Sequence, residues 1–103
     1  MPSQFLIRIQ SLRERLPVGS TPEENRLVAE HFDSLRHLTD QGVVLLAGRT
    51  LNADPTGFGI IILEAASEAP ARIVMENDPA VRSGVFRAEL FPFRVALTGF
   101  TPA

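Results

Sequence analysis

Residues 21–42 read TPEENRLVAEHFDSLRHLTDQG, and this stretch predicts one amphipathic helix with a signal at each end. Thr21 and Glu24 have the spacing of a capping box, and Pro22 fits the first helical position. Gly42 can take the left-handed conformation that ends a helix. Apolar side chains recur every three or four residues, which places them on one helix face. These are Leu27, Val28, Phe32, Leu35 and Leu38.

His31 lies on this same face and is the one ionisable residue on a stripe expected to pack against the rest of the protein. Histidine can take or give a proton at neutral pH. Two interpretations stay open from the residues alone. His31 is either a core histidine that is hydrogen-bonded to backbone or to a carboxylate, or an acid–base group in a functional site.

Composition restricts the class of protein. The 103 residues predict a single domain spanning 1–103, and 45% hydrophobic residues is high for so small a domain. Ten arginines without lysine, balanced by twelve acidic residues, form no basic run, so no nucleic-acid partner is expected. The absence of cysteine excludes disulfides and a thiol nucleophile and fits the cytoplasm. No apolar run reaches the roughly 18 residues of a membrane-spanning helix, and no signal peptide is recognised, so no membrane partner is expected.

Four segments predict strands. Residues 4–10 alternate apolar and polar side chains, and residues 43–50 form an apolar run expected to be buried on both faces. Residues 58–64 contain three consecutive isoleucines, and residues 85–97 form a last, edge-like strand that Pro92 marks as an edge or a bulge.

The segments between the strands predict a second helix and two connections. Ser67 can cap a helix running to about Asn77, with Ala69, Ile73 and Val74 as inward positions. The dipeptide 78–79, Asp-Pro, stops that helix, and a short further turn precedes Gly84. Residues 52–57 predict a hairpin loop, and residues 11–20 a connection in which 11–16 can form a first helical turn.

The order strand–helix–strand–strand–helix–strand predicts an α+β fold of the ferredoxin-like type. In this fold an antiparallel sheet carries both helices on one face. The other face would expose valine, leucine and isoleucine side chains to water, and a second copy would cover them. A homodimer is therefore expected.

Asp78 is the second candidate site residue, because the end of one helix can approach the middle of the other in this fold. A carboxylate beside an imidazole fixes its tautomer and supports its charged form. The alternative is that Asp-Pro serves only as a turn. Arg8 and Arg49 are candidates for binding an anionic group, against the alternative of solvated strand-end arginines. No metal-ligand spacing, phosphate loop or dinucleotide motif is present, so no metal or cofactor is expected.

Several of these residues, taken in order, resemble the YciI-like (YCII-related) family. The similarity covers roughly residues 5–95 and rests on five features. They are His31 eleven residues before Gly42, Ala47-Gly48 at a strand end, Phe58-Gly59 at a strand start, Ser67 eleven residues before Asp78-Pro79, and Gly84-Val85 followed by Pro92-Phe93. The chain departs from the family pattern in its long first loop, in Arg49 where proline is common, and in Val74 where an aromatic residue is common.

The resemblance implies dimeric α/β barrels and a catalytic histidine–aspartate pair in a pocket, at the positions of His31 and Asp78. Some relatives look like lyases that remove chloride from hydroxylated aromatics. The prediction is a cytoplasmic homodimer in which His31 acts as general acid or base on a small polar or aromatic molecule, Asp78 orients it, and Arg8 or Arg49 binds an anionic group. The alternatives are a non-catalytic small-molecule-binding or interaction module, and a structural dimer with His31 in its core.

Overall fold

The computed structural model describes residues 3–11, 21–52, 54 and 56–99, and this part of the chain forms four strands and three helices. In chain order they are β1 (Ser3–Ser11), α1 (Pro22–Asp40), β2 (Val44–Arg49), β3 (Gly59–Ala65), α2 (Glu68–Glu76), α3 (Pro79–Arg82) and β4 (Phe86–Phe93). The predicted order of elements and the ferredoxin-like fold are confirmed. The predicted turn at 11–16 lies largely outside the described residues.

The ends of α1 are formed by the predicted residues. The Glu24 N–H donates to Thr21 Oγ1 at 3.1 Å, and the Thr21 N–H donates to Glu24 Oε1 at 2.8 Å, which completes the capping box. Gly42 ends the helix with φ +78°, a conformation that costs glycine little. The predicted apolar face is correct except at Phe32, whose side chain is 53% exposed.

The sheet is antiparallel with strand order β2–β3–β1–β4. In the centre, β1 pairs with both β3 and β4, so that Ile7 lies opposite Ile61 on one side and Leu90 on the other. The prediction that residues 43–50 are buried on both faces is wrong. In this chain β2 is an edge strand in which only Val44 is buried, and its register shifts between Val44 and Leu46.

The two sheet faces differ because side chains alternate along each strand. One face carries the core against the helices, with Phe5, Ile7, Ile61 and Leu63 buried together with Leu35 of α1 and with Ala71 and Met75 of α2. We call the opposite face the outer face. Its apolar side chains, which are half-buried or exposed, are Leu6, Leu46, Ile60, Ile62, Phe91 and Phe93.

Gly59 leaves room for the Ile9 side chain of β1 to lie directly over β3. A Cβ atom at this position would lie 2.9 Å from Ile9 Cγ1 and 3.3 Å from the Gly48 carbonyl oxygen. A contact of 2.9 Å overlaps the van der Waals radii of two carbon atoms. Only glycine fits here without a shift of the neighbouring strands.

The predicted second helix is correct in position, but of its three predicted inward residues only Val74 packs against the core. Ser67 is its N-cap residue, although its side chain makes no capping hydrogen bond. Ala69 is exposed and Ile73 is 57% exposed, whereas Ala71 and Met75 are buried. The helix ends before Asp78, as expected, and α3 forms the predicted further turn.

The last strand is shorter than predicted, since β4 ends at Phe93 and residues 94–99 have no regular secondary structure. Pro92 was predicted to mark an edge or a bulge, and it lies in this edge strand, opposite Phe5. The Val95 N–H donates to Gln4 Oε1 at 2.8 Å and holds the start of the following segment beside β1.

Candidate active site

Asp78 is placed by a local capping motif. It is the N-cap of α3, and its Oδ2 accepts hydrogen bonds from the N–H groups of Ala80 at 3.1 Å and Val81 at 3.2 Å. Pro79 occupies the first helical position, where its missing N–H costs nothing. The sequence Asp-Pro therefore both ends α2 and starts α3, and it leaves the other carboxylate oxygen free to face α1.

That oxygen, Oδ1 of Asp78, lies 2.7 Å from Nδ1 of His31 on α1. The two residues are 47 positions apart and both are buried, at 2% and 8% exposure. Because the carboxylate accepts hydrogen bonds, the hydrogen of a neutral imidazole belongs on Nδ1, which leaves Nε2 as an acceptor. The structure thus brings together the two residues that the sequence nominated, and it defines the tautomer of the ring.

The Nε2 atom has no hydrogen-bond partner among the described residues. The His31 side chain is 3% exposed, and it belongs to the lining of a small cavity. Two aromatic rings flank the imidazole edge to face, with centroids 5.3 Å away for Phe32 and 5.1 Å away for Phe86. The two rings pack against the imidazole and hold it in place.

A small cavity of about 10 Å³ lies beside the pair, between the helices and the sheet. Its lining is mostly apolar, and the polar members are His31, Ser34 and Asp78. The apolar members are Ile7, Ile9, Leu35, Leu38, Ile61, Val74, Met75 and Val81. This volume is close to that of a single water molecule. A larger ligand must therefore enlarge the cavity by moving half-buried side chains of the wall, such as Leu38 and Val74.

The two predicted anion-binding arginines do not line this cavity. Arg8 lies on the outer face, 3.7 Å from Glu89 and with its guanidinium 5.0 Å from the centroid of the Phe58 ring. Arg49 is exposed at the end of β2, opposite Gly59 in the register. A substrate-binding role for either arginine stays a prediction.

Two residues of the site were not singled out from the sequence. Ser34 lines the cavity, and Phe86 packs against the imidazole. Ser34 follows His31 by three positions, so helical spacing would have placed it on the same face. Nothing local to Phe86 indicates its role, because its contact with His31 depends on how β4 is placed beside α1.

The described residues contain no group of three or more histidine or acidic side chains arranged to hold a metal ion. Within the same part of the chain, no helix has the length and apolar character needed to cross a lipid bilayer.

The sequence matches the model of the YCII-related domain over residues 4–94, which is most of its length. The chain belongs to the YCII-related family. No curated protein matches the chain at a significant level.

Solved structures support the same fold. The chain is similar to 5-chloro-2-hydroxyhydroquinone dehydrochlorinase from Burkholderia phenoliruptrix, solved in complex with 2,5-dihydroxybenzoquinone. The TM-score is 0.58 at 21% identity, over 88% of this chain and 93% of the dehydrochlorinase chain. It is also similar to an uncharacterized protein from Thermotoga maritima, with a TM-score of 0.56 at 9% identity, over 91% of this chain and 100% of the other.

Proposed function

We propose that the protein is an enzyme in which the His31–Asp78 pair performs general acid–base chemistry, of a lyase-like type, on a small polar or aromatic molecule. The observation that carries the proposal is the 2.7 Å contact between Asp78 Oδ1 and His31 Nδ1, combined with an Nε2 atom that has no partner among the described residues. A histidine needed only for packing would more commonly have both ring nitrogens satisfied.

The arrangement assigns a role to each group. His31 Nε2 accepts a proton from the ligand or returns one to it. Asp78 keeps the ring in the correct tautomer and stabilises the positive charge that the imidazole acquires. Asp78 is itself held by two backbone N–H groups of α3, so it does not turn away when the charge changes. General acid–base catalysis of this kind contributes about 10²- to 10⁴-fold in rate.

The structural similarity to a dehydrochlorinase suggests a first compound to test. Purified protein is incubated under argon with 5-chloro-2-hydroxyhydroquinone, and release of chloride is followed with an ion-selective electrode. In parallel, a panel of small hydroxylated and carbonyl compounds is incubated in D₂O, because a general base that removes a proton and returns a deuteron labels its ligand. Proton NMR detects the label.

His31→Gln should lower either rate by about 100-fold or more. His37→Gln is the matched control, since His37 lies on the same helix but is exposed. An unchanged rate in His31→Gln would contradict the catalytic role. Saturable binding without turnover would favour the small-molecule-binding module instead.

We also propose that the outer face pairs with that of a second copy to form a homodimer. The described helices pack on the other face, so in a single chain the apolar side chains of the outer face contact water. Burial of apolar surface contributes roughly 25 cal/mol per Å². The resemblance to the YCII-related family also implies a dimeric α/β barrel. The expected cytoplasmic location stays a prediction.

Sedimentation velocity tests the dimer. Ile62 lies opposite both Leu6 and Leu46 in the sheet and hence near the middle of the outer face. Ile62→Glu should shift the protein to a monomer, whereas Arg36→Glu, on the exposed side of α1, should leave the dimer intact. A dimer that persists in Ile62→Glu would exclude the outer face as the interface.

A further inference from the structure

Ser34 is a polar side chain in the cavity wall that the His31–Asp78 pair does not use. It is half-buried and lies three residues after His31, on the same face of α1. All other members of the lining, apart from the pair itself, are apolar. Its position beside the imidazole is therefore the one other place in the described wall where a ligand could form a side-chain hydrogen bond.

The Ser34 hydroxyl makes no hydrogen bond to the described residues. A hydroxyl inside a helix commonly donates to the carbonyl four residues earlier, as Thr39 does to the Leu35 carbonyl at 2.7 Å. Ser34 makes no corresponding bond. Ser34 is half-buried and belongs to the cavity lining, so the described residues do not enclose its side chain completely.

The polar atoms available to a ligand can now be identified. Asp78 already accepts three hydrogen bonds, from His31, Ala80 and Val81. His31 Nδ1 is occupied by Asp78. Within the described lining, the side-chain polar atoms that have no partner among the described residues are therefore His31 Nε2 and Ser34 Oγ.

We propose that Ser34 is the second polar contact of the ligand, and that its hydroxyl binds one oxygen atom while a second group of the ligand meets His31 Nε2. This inference rests on the proposed function of the pair. No arginine is among the described residues of the lining, and a carboxylate there would face apolar side chains and Asp78. The site accordingly selects a small, uncharged molecule with two polar groups on an apolar body, in preference to an anion.

Binding of phenol, resorcinol and benzoate, followed by the NMR signals of the His31 ring, tests this proposal. Phenol offers one hydroxyl, resorcinol offers two, and benzoate is an anion at neutral pH. We expect Ser34→Ala to weaken resorcinol binding by about 3- to 10-fold and to leave phenol binding unchanged. Ser34→Thr, which keeps the hydroxyl, should bind resorcinol as tightly as the unmodified protein does. Thr39→Ala, the control, should bind both compounds as the unmodified protein does. Benzoate should bind more weakly than phenol.

Each other result counts against the proposal. Equal losses for phenol and resorcinol in Ser34→Ala would show a packing defect and not a lost ligand contact. Tighter binding of benzoate than of phenol would overturn the preference for an uncharged ligand. Probes that bind in a His31-dependent way but are insensitive to Ser34→Ala would overturn only the role of Ser34. If no probe affects the His31 ring, the proposed function fails together with this inference.

Discussion

One carboxylate, that of Asp78, connects α1 to α3, with Oδ1 at 2.7 Å from His31 Nδ1 and Oδ2 bound to the N–H groups of Ala80 and Val81. The two oxygens thus have different tasks. Oδ2 caps a helix and fixes the position of the group, while Oδ1 orients the imidazole. Substitutions at Asp78 can separate the electrostatic role from the structural one.

Asp78→Asn should reverse the tautomer of His31. The two backbone N–H groups require an acceptor, so the amide oxygen of Asn takes the place of Oδ2 and the NH₂ group faces His31. Nδ1 then becomes the acceptor and the hydrogen moves to Nε2, which abolishes proton abstraction at that atom. The ¹⁵N chemical shifts of the ring report the tautomer directly. An unchanged tautomer would contradict the proposed network.

Asp78→Ala should destabilise the fold by about 2–5 kcal/mol, because it leaves the His31 ring nitrogen and two backbone N–H groups without their acceptor. Urea denaturation measures the free energy of unfolding of each variant. Asp33→Ala is the matched control, since Asp33 is an exposed aspartate on α1 and its loss should change the stability by about 0.5 kcal/mol or less. Similar effects of both substitutions would mean that Asp78 is not a structural link.

Gly59→Ala should destabilise the sheet by about 1–3 kcal/mol, since the added methyl group would lie 2.9 Å from Ile9 Cγ1. Gly48→Ala, in the neighbouring strand, meets nothing within 4 Å in this chain and should have little effect. Thermal unfolding of the two variants makes the comparison. Partial recovery of stability in the double variant Gly59→Ala, Ile9→Ala would confirm the clash as the cause.

Thr21→Ala should cost about 1 kcal/mol of stability, because it removes the hydroxyl that accepts the Glu24 N–H at the start of α1. Thr39→Ala on the same helix removes only a hydroxyl bonded to a carbonyl that the helix already satisfies, and should be nearly neutral. Urea midpoints for both variants distinguish a capping effect from a general intolerance of α1 to the loss of threonine.

The stability of the hairpin loop at residues 52–57 should depend on pH through the carboxyl group of Asp54. The Thr56 hydroxyl, the Thr56 N–H and the Asn52 amide donate to its carboxylate and lower the pKa of Asp54 below the ordinary value of 3.8. A lowered pKa stabilises the folded loop above the unfolded pKa, and this contribution is lost as the pH falls from about 3.8 through the folded value. Carbon-13 NMR titration of the Asp54 carboxyl measures its pKa. Thr56→Ala should bring this pKa back towards 3.8. A pKa that does not move in that variant would contradict the assigned cause.

Local signals predicted α1 well, because its caps are made by residues next to the helix itself. They predicted the environment of β2 wrongly. An apolar run is compatible with an interior or an edge strand, and only the pairing of β1 with β3 and β4 decides that β2 lies at the edge. The inward face of α2 was predicted only in part, since Val74 packs against the core whereas Ala69 and Ile73 are exposed. A short helix with apolar residues on several sides allows more than one rotation.

In the candidate site, too, local sequence signals predict some features and only tertiary packing decides the others. His31 could be nominated because it interrupts an apolar stripe, and Asp78 because the fold brings the two helices together. The contact distance, the tautomer and the lack of a partner for Nε2 among the described residues depend on tertiary packing. The alternation of β1 already placed Arg8 on the opposite side from Ile7, but only the structure shows that the cavity lies on the side of Ile7.

The strand order has a consequence for how this protein is made. Cut between β2 and β3, the chain gives two pieces, and neither contains two strands that are neighbours in the sheet. During synthesis no ladder can therefore form before β3 emerges. Apart from the β2–β3 hairpin, the ladders of the sheet join distant parts of the chain. Neither half should fold when expressed alone, and co-expression of the two should restore a complete molecule.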